Sequence, residues 1–124
     1  MNVELAEQIN KAIATHGMWK ARLRNAIETG VSEFEPETVR TDNHCDFGKW
    51  LHEKVPEVLK STSIYETVLE YHAEFHVEAS RVLALALTGD KEEAEKSMSS
   101  SSKFAAISAA LTTTMIEWKK EILQ

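Results

Sequence analysis

Apolar and small side chains recur at three- and four-residue steps through three long stretches of this chain. From about Asn2 to Thr29 the positions Leu5, Ile9, Ala12, Ile13, His16, Trp19, Leu23 and Ile27 form one buried helical face. Gly30 reads as a helix stop, and the polar stretch from Glu33 to Thr41, with Pro36, reads as an irregular connection to Asp42-Asn43-His44-Cys45. From Phe47 to about Lys60 one or two short helices are expected, the first capped by Asp42 or Asn43 and the second begun at Pro56. Ser63 followed by Glu66 resembles a capping box, and Tyr65, Val68, Leu69, His72, Phe75, His76, Ala79, Val82, Leu83 and Ala86 make a second stripe that Gly89 ends. Asp90 with Glu93 repeats the capping signal. Ala94, Met98, Ala105, Ser108, Leu111, Met115, Trp118 and Ile122 then predict a last long helix. The serine run Ser97–Ser102 lies in phase with that stripe, so it is expected to stay helical rather than to act as a linker. The predicted fold is all-α: an antiparallel four-helix bundle with short extra helices around the cysteine-containing segment.

Composition narrows what such a bundle can do. A chain of 124 residues is long enough for one domain with a buried core, and one domain spanning 1–124 is expected. With 14 Lys+Arg against 20 Asp+Glu, the net charge of -6 argues against nucleic acid and against anionic membranes as partners. No apolar run approaches the roughly 20 residues that span a bilayer, and Met1-Asn2-Val3-Glu4 lacks the order of a signal peptide, so a cytoplasmic location is expected. Cys45 is the single cysteine and has no internal disulfide partner, which leaves packing, metal binding or catalysis for its thiol.

The histidines supply the chemistry. His72 and His76 are four residues apart, hence one turn apart on one helical face, and can reach a single ion. That spacing alone is a weak signal. Both residues, however, fall on the apolar stripe, where two neighbouring imidazoles are costly to bury without strong partners. His16 falls on the first stripe, and in isolation a core histidine hydrogen-bonded to a neighbour explains it as well as a ligand does. Cys45 precedes a predicted helix start, whose backbone N–H groups favour a thiolate. Three neutral imidazoles and one thiolate would make a closed tetrahedral set for one zinc ion, with no open position for catalysis.

Three blocks carry a resemblance. His16-Gly17-Met18-Trp19, Cys45-Asp46-Phe47-Gly48-Lys49-Trp50 and His72-Ala73-Glu74-Phe75-His76 resemble, in the same order, the signature blocks of the chemoreceptor zinc-binding domain family. The resemblance implies a bound zinc held by His16, Cys45, His72 and His76. Trp19, Phe47 and Trp50 are expected to shield the site, with ordinary core packing as the alternative, and Gly48 to permit a close approach or an unusual backbone angle. Asp42, Asp46 and Glu74 could each accept an imidazole N–H. His44 and His52 match no signature position and are expected to be exposed or to stand behind the ligands.

By the same resemblance, the chain is expected to be a sensory or regulatory module of bacterial signalling rather than an enzyme. Its partner would be a chemoreceptor or a diguanylate cyclase, fused or separate, and a homodimer is expected. Two inputs are chemically open: zinc occupancy itself, or oxidation of Cys45 by oxidants such as hypochlorous acid. Purely structural zinc in a partner-binding bundle is the alternative. A zinc hydrolase is disfavoured, since Glu74 stands two residues after His72 rather than one and a fourth ligand closes the site.

Overall fold

In the computed structural model, which describes residues 2–124, the first apolar stripe becomes two helices, α1 (Asn2–Gly17) and α2 (Trp19–Thr29), joined at Met18. The Met18 N–H is shared between the carbonyls of Ala14 and Thr15, both at 3.2 Å, which marks the joint. Ile9, Ala12, His16, Trp19, Leu23 and Ile27 are buried along one face, as the periodicity predicts, together with Ala6 and Ala26, whereas Leu5 and Ile13 are only half-buried. Gly30 stops α2 in the left-handed region at φ 76°, and its N–H closes on the Ala26 carbonyl at 2.7 Å.

The connection from Gly30 to Thr62 is more ordered than expected. Pro36 opens a single turn of helix, α3 (Pro36–Val39), because its preset φ suits the first helical position. Helix α4 (Asp46–Glu53) follows, and its N-cap is neither Asp42 nor Asn43 but Cys45, whose Sγ accepts the Gly48 N–H at 3.3 Å. Pro56 precedes α5 (Glu57–Lys60), as anticipated. The long helix α6 (Ser63–Leu87) is capped one residue earlier than Ser63: the Thr62 hydroxyl accepts the Tyr65 N–H at 3.4 Å.

The serine run corrects the sequence expectation more sharply. Helix α7 (Lys91–Ser97), capped by Asp90 as predicted, ends there, and Ser102 caps a separate α8 (Lys103–Leu123) by accepting the Ala105 N–H at 3.1 Å. Serine competes for backbone hydrogen bonds, so five serines in six positions can end one helix and begin the next even where the apolar phase continues.

The result is an all-α bundle. Helix α8 packs on α6 and α1, while α2 packs on α6 and α7. Tyr65 meets Trp118 and Phe75 meets Phe104, so α6 and α8 run antiparallel. Since α1 meets α8 and α2 meets α7, the α1–α2 rod is antiparallel to α8 as well, and therefore parallel to α6. The crossover makes this possible by returning the chain to the other end of the bundle, with α4 packed on α1 and α3 and α5 packed on α6. Ile9, Leu23, Val68, Phe75, Val82, Phe104, Leu111, Met115 and Trp118 fill the core. Each such side chain contributes on the order of 1.5–3 kcal/mol by leaving water. No helix is long and apolar enough to cross a membrane, among the described residues.

Candidate metal centre

His16 sits at the end of α1, His72 and His76 one turn apart on α6, and Cys45 at the mouth of α4, so three separate stretches of chain meet at one point. One donor atom from each of the four lies within 4.8 Å of the others. The Nε2 of His72 is 3.0 Å from that of His16 and 3.1 Å from that of His76. Cys45 Sγ is 3.4 Å and 3.5 Å from the Nε2 atoms of His72 and His76. Zinc bonded at its usual lengths would need tetrahedral edges of about 3.3–3.4 Å between nitrogens and about 3.6 Å from nitrogen to sulfur. These four edges are within a few tenths of an ångström of that shape, and the remaining two, from His16 to His76 and to Cys45, are no longer than 4.8 Å.

The hydrogen bonds orient two of the imidazoles. His16 Nδ1 donates to the Ala12 carbonyl at 2.7 Å, one turn back on α1. His76 Nδ1 donates to the Val39 carbonyl of α3 at 2.9 Å. A neutral ring that donates from Nδ1 presents a lone pair at Nε2. These lone pairs face one another, an arrangement that is repulsive on its own and favourable around a cation.

Charge follows from burial. The three histidines are 4%, 0% and 3% exposed in chain order. Burial pulls His16 down to about 4, with the hydrogen bond to Ala12 opposing and His76 and Arg22 adding to the shift. His72 falls to about 2, again chiefly by burial and then by the neighbouring imidazoles of His76 and His16. His76 is lowered too, burial outweighing Val39 and Asp42. All three are neutral at physiological pH, as metal ligands must be.

Cys45 departs from the expectation of a thiolate stabilised by its helix. Burial pushes its thiol up, and although the N–H groups of Gly48 and Phe47 oppose this, the nearby carboxylates of Asp42 and Asp46 reinforce it. The helix start contributes as anticipated but is outweighed, so a thiolate here needs a cation. The donor chemistry fits zinc: borderline-soft nitrogen and sulfur, four ligands, all able to lose or lack a proton.

Around the donors the aromatic residues divide. Phe47 packs edge-on against His16 at 5.7 Å and His72 at 5.1 Å between ring centroids. Trp50 stacks behind Phe47 at 5.7 Å and reaches Trp118, not the imidazoles. Trp19 packs on Phe34, and both line a hollow of about 190 Å³ beside Cys45 and His76. Phe75, read from the sequence only as part of the stripe, in fact touches the site, 5.2 Å from His16 and 5.8 Å from His76. Its place in the His-x-x-x-His block was the available signal.

Gly48 is needed for space, not for an unusual backbone angle. A Cβ there would collide with the Asp42 carbonyl oxygen and fall 2.7 Å from its carbon, and positive φ occurs, among the described residues, only at Gly30 and Gly89. His44 and His52 are exposed, bonded to Thr41 at 2.6 Å and to Asp42 at 3.1 Å, and neither joins the cluster. Glu74 and Asp46 also stand outside it.

The family model described as the chemoreceptor zinc-binding domain matches residues 16–83, a span that begins at His16 and contains all four donors. Neither a curated protein nor a solved structure matches the chain.

Proposed function

Because this chain belongs to the chemoreceptor zinc-binding domain family, we propose that it is a sensory module in which His16, Cys45, His72 and His76 hold the zinc and Cys45 receives the signal. One observation carries this reading: of the four donors only the thiol is partly exposed, while the three imidazoles are buried. Two hollows, of about 190 and 200 Å³, border Cys45 from different sides, so a small oxidant has a route to sulfur.

When bound, zinc keeps the Cys45 sulfur deprotonated at neutral pH despite its burial. The thiolate gives two electrons to hypochlorous acid: a sulfur–oxygen bond forms, the oxygen–chlorine bond breaks, and chloride leaves, giving the sulfenic acid. A sulfenic acid is a poorer ligand and a poorer helix cap, so α4 loses its hold on both the site and the Gly48 N–H. Phe47 and Phe75 keep the nitrogens dry, which confines the change to the sulfur side. The output is a displacement of the crossover relative to α1 and α6.

Helix α8 lies beyond the matched span yet packs on α1 and α6, which supports the whole stretch 1–124 acting as one unit. Its partner in this reading is a signalling protein of chemotaxis or cyclic-di-GMP synthesis, met as a homodimer. A second reading, in which zinc occupancy is itself the signal, is favoured by the origin of the ligands: they come from three segments distant in sequence, which a bound ion would tie directly to one another.

Elemental analysis tests the proposal. Wild type purified without added metal carries about one zinc per chain; Cys45→Ala and a brief hypochlorous acid pulse each lower that occupancy. Full retention after both treatments sinks the cysteine switch. Loss in Cys45→Ala but not after oxidation leaves zinc as the input.

A further inference from the structure

His72 is the anomaly of the cluster. Its ring is completely buried, and its Nδ1 is the one buried side-chain nitrogen or oxygen without a hydrogen-bond partner, among the described residues. His16 and His76 both anchor the corresponding nitrogen on a backbone carbonyl. The acceptor facing His72 Nδ1 is a carboxylate: Asp42 Oδ2, at 4.0 Å. That same oxygen accepts from the exposed His52 Nε2 at 3.1 Å.

We propose that Asp42 is the positioning residue of the zinc site: with the metal bound, its carboxylate accepts the His72 Nδ1–H. This rests on the assignment of His72 as a ligand. Three arguments support it. First, a metal on Nε2 requires the proton to sit on Nδ1, and a fully buried N–H with no acceptor bears the whole cost of its lost hydration. Closing from 4.0 Å to a hydrogen bond takes a shift of about 1 Å, within reach of a rotation of the Asp42 side chain, which is 23% exposed. Secondly, the charges balance. Zinc and one thiolate leave a net single positive charge in a buried site, and the Asp42 carboxylate neutralises it.

Thirdly, Asp42 is held where it is by its backbone. Its carbonyl occupies the volume that a side chain at position 48 would fill, so Gly48 is what lets the Asp42 main chain lie against α4. Gly48 and Cys45 share one hydrogen bond, so the glycine seats both the thiol and the carboxylate. One residue thereby serves two sides of the metal.

Zinc affinity measured by chelator competition, together with the imidazole N–H resonances of the zinc-loaded protein, tests this. Asp42→Ala is expected to weaken zinc binding on the order of 10- to 100-fold, and Asp42→Asn, which keeps an acceptor oxygen but not the charge, by less. In both, the His72 Nδ1–H resonance moves upfield while those of His16 and His76 stay in place, a signature that a mere loss of stability does not produce. Asp46→Asn removes the carboxylate next to Cys45 in the first turn of α4 and is expected to weaken binding less than either. The proposal is overturned if the His72 resonance is unmoved in both Asp42 variants, whatever happens to affinity, or if Asp46→Asn costs as much as Asp42→Ala. A different result, wild type that takes up no zinc or His72→Ala that keeps it as tightly, removes the ligand assignment itself and Asp42's role with it.

Discussion

The two halves of the metal centre are built differently. On one side stand three buried histidines carried by α1 and by the 25-residue α6, helices that both contribute to the core. On the other stands Cys45, partly exposed, at the tip of an eight-residue helix inside a crossover whose other helices are single turns. The burial of α1 and α6 in the core makes the nitrogen side a framework that is expected to stand with or without metal. The sulfur side is held by the metal, one cap and one close backbone approach. A sensor benefits from this asymmetry, because a site that were equally rigid throughout would bind zinc and report nothing.

The comparison can be broken from the framework side first. Phe75 is 1% exposed and touches both His16 and His76. Phe75→Ala is expected to cost about 3–5 kcal/mol, in zinc-free as in zinc-loaded protein. A denaturant titration showing the loss only with zinc present would mean that the framework depends on metal after all.

Removing zinc comes next in size. At free zinc a thousandfold above its Kd, the bound state is stabilised by about 4 kcal/mol. Chelation should therefore lower the melting temperature measurably, and hydrogen exchange should locate the loosening in residues 42–53 rather than in α6. Uniform loss of protection along both would contradict a rigid nitrogen side.

Gly48→Ala sharpens the sulfur side. The added methyl collides with the Asp42 backbone rather than with a flexible side-chain end, so about 1–3 kcal/mol of overpacking is expected, together with weaker zinc binding. A crystal structure of the variant with the 42–45 backbone unmoved would refute that account. Smallest of all, Cys45→Ala in zinc-free protein should change stability by about 1 kcal/mol, the size of a lost helix cap. Calorimetry of the apo variant checks this, and a loss of several kcal/mol would place Cys45 among the framework residues.

How much of this was legible in the sequence follows from the same division. His16, His72 and His76 could be read as inward-facing because helical periodicity puts them on apolar stripes, and the structure buries all three. Cys45 was found by its uniqueness and its neighbours, not by periodicity. The chain's direction was not legible: that the α1–α2 rod and α6 run parallel depends on how far the crossover reaches, which no local pattern encodes. The break at Ser97–Ser102 was missed because apolar phase was weighed above the capping preference of serine, and at Ser102 capping won. Thr62 rather than Ser63, and Cys45 rather than Asp42 or Asn43, show the one- to few-residue uncertainty of cap assignment. The partners of the imidazoles were half visible. Asp42 was one of three plausible carboxylates, whereas the carbonyls of Ala12 and Val39 have no signature, since every residue carries one.

The joint at Met18 has a mechanical side. It lies two residues beyond His16, so the ligand sits beside a pivot, with the 16 residues of α1 as the arm. At 1.5 Å per residue that arm is about 24 Å long, and each degree of bend at the pivot carries its far end by about 0.4 Å. Because α1 is packed on α8 and buries Ile9 and Ala12, the arm is held and the leverage runs inward: a disturbance at its tip reaches His16, about 3 Å from the pivot, reduced about eightfold.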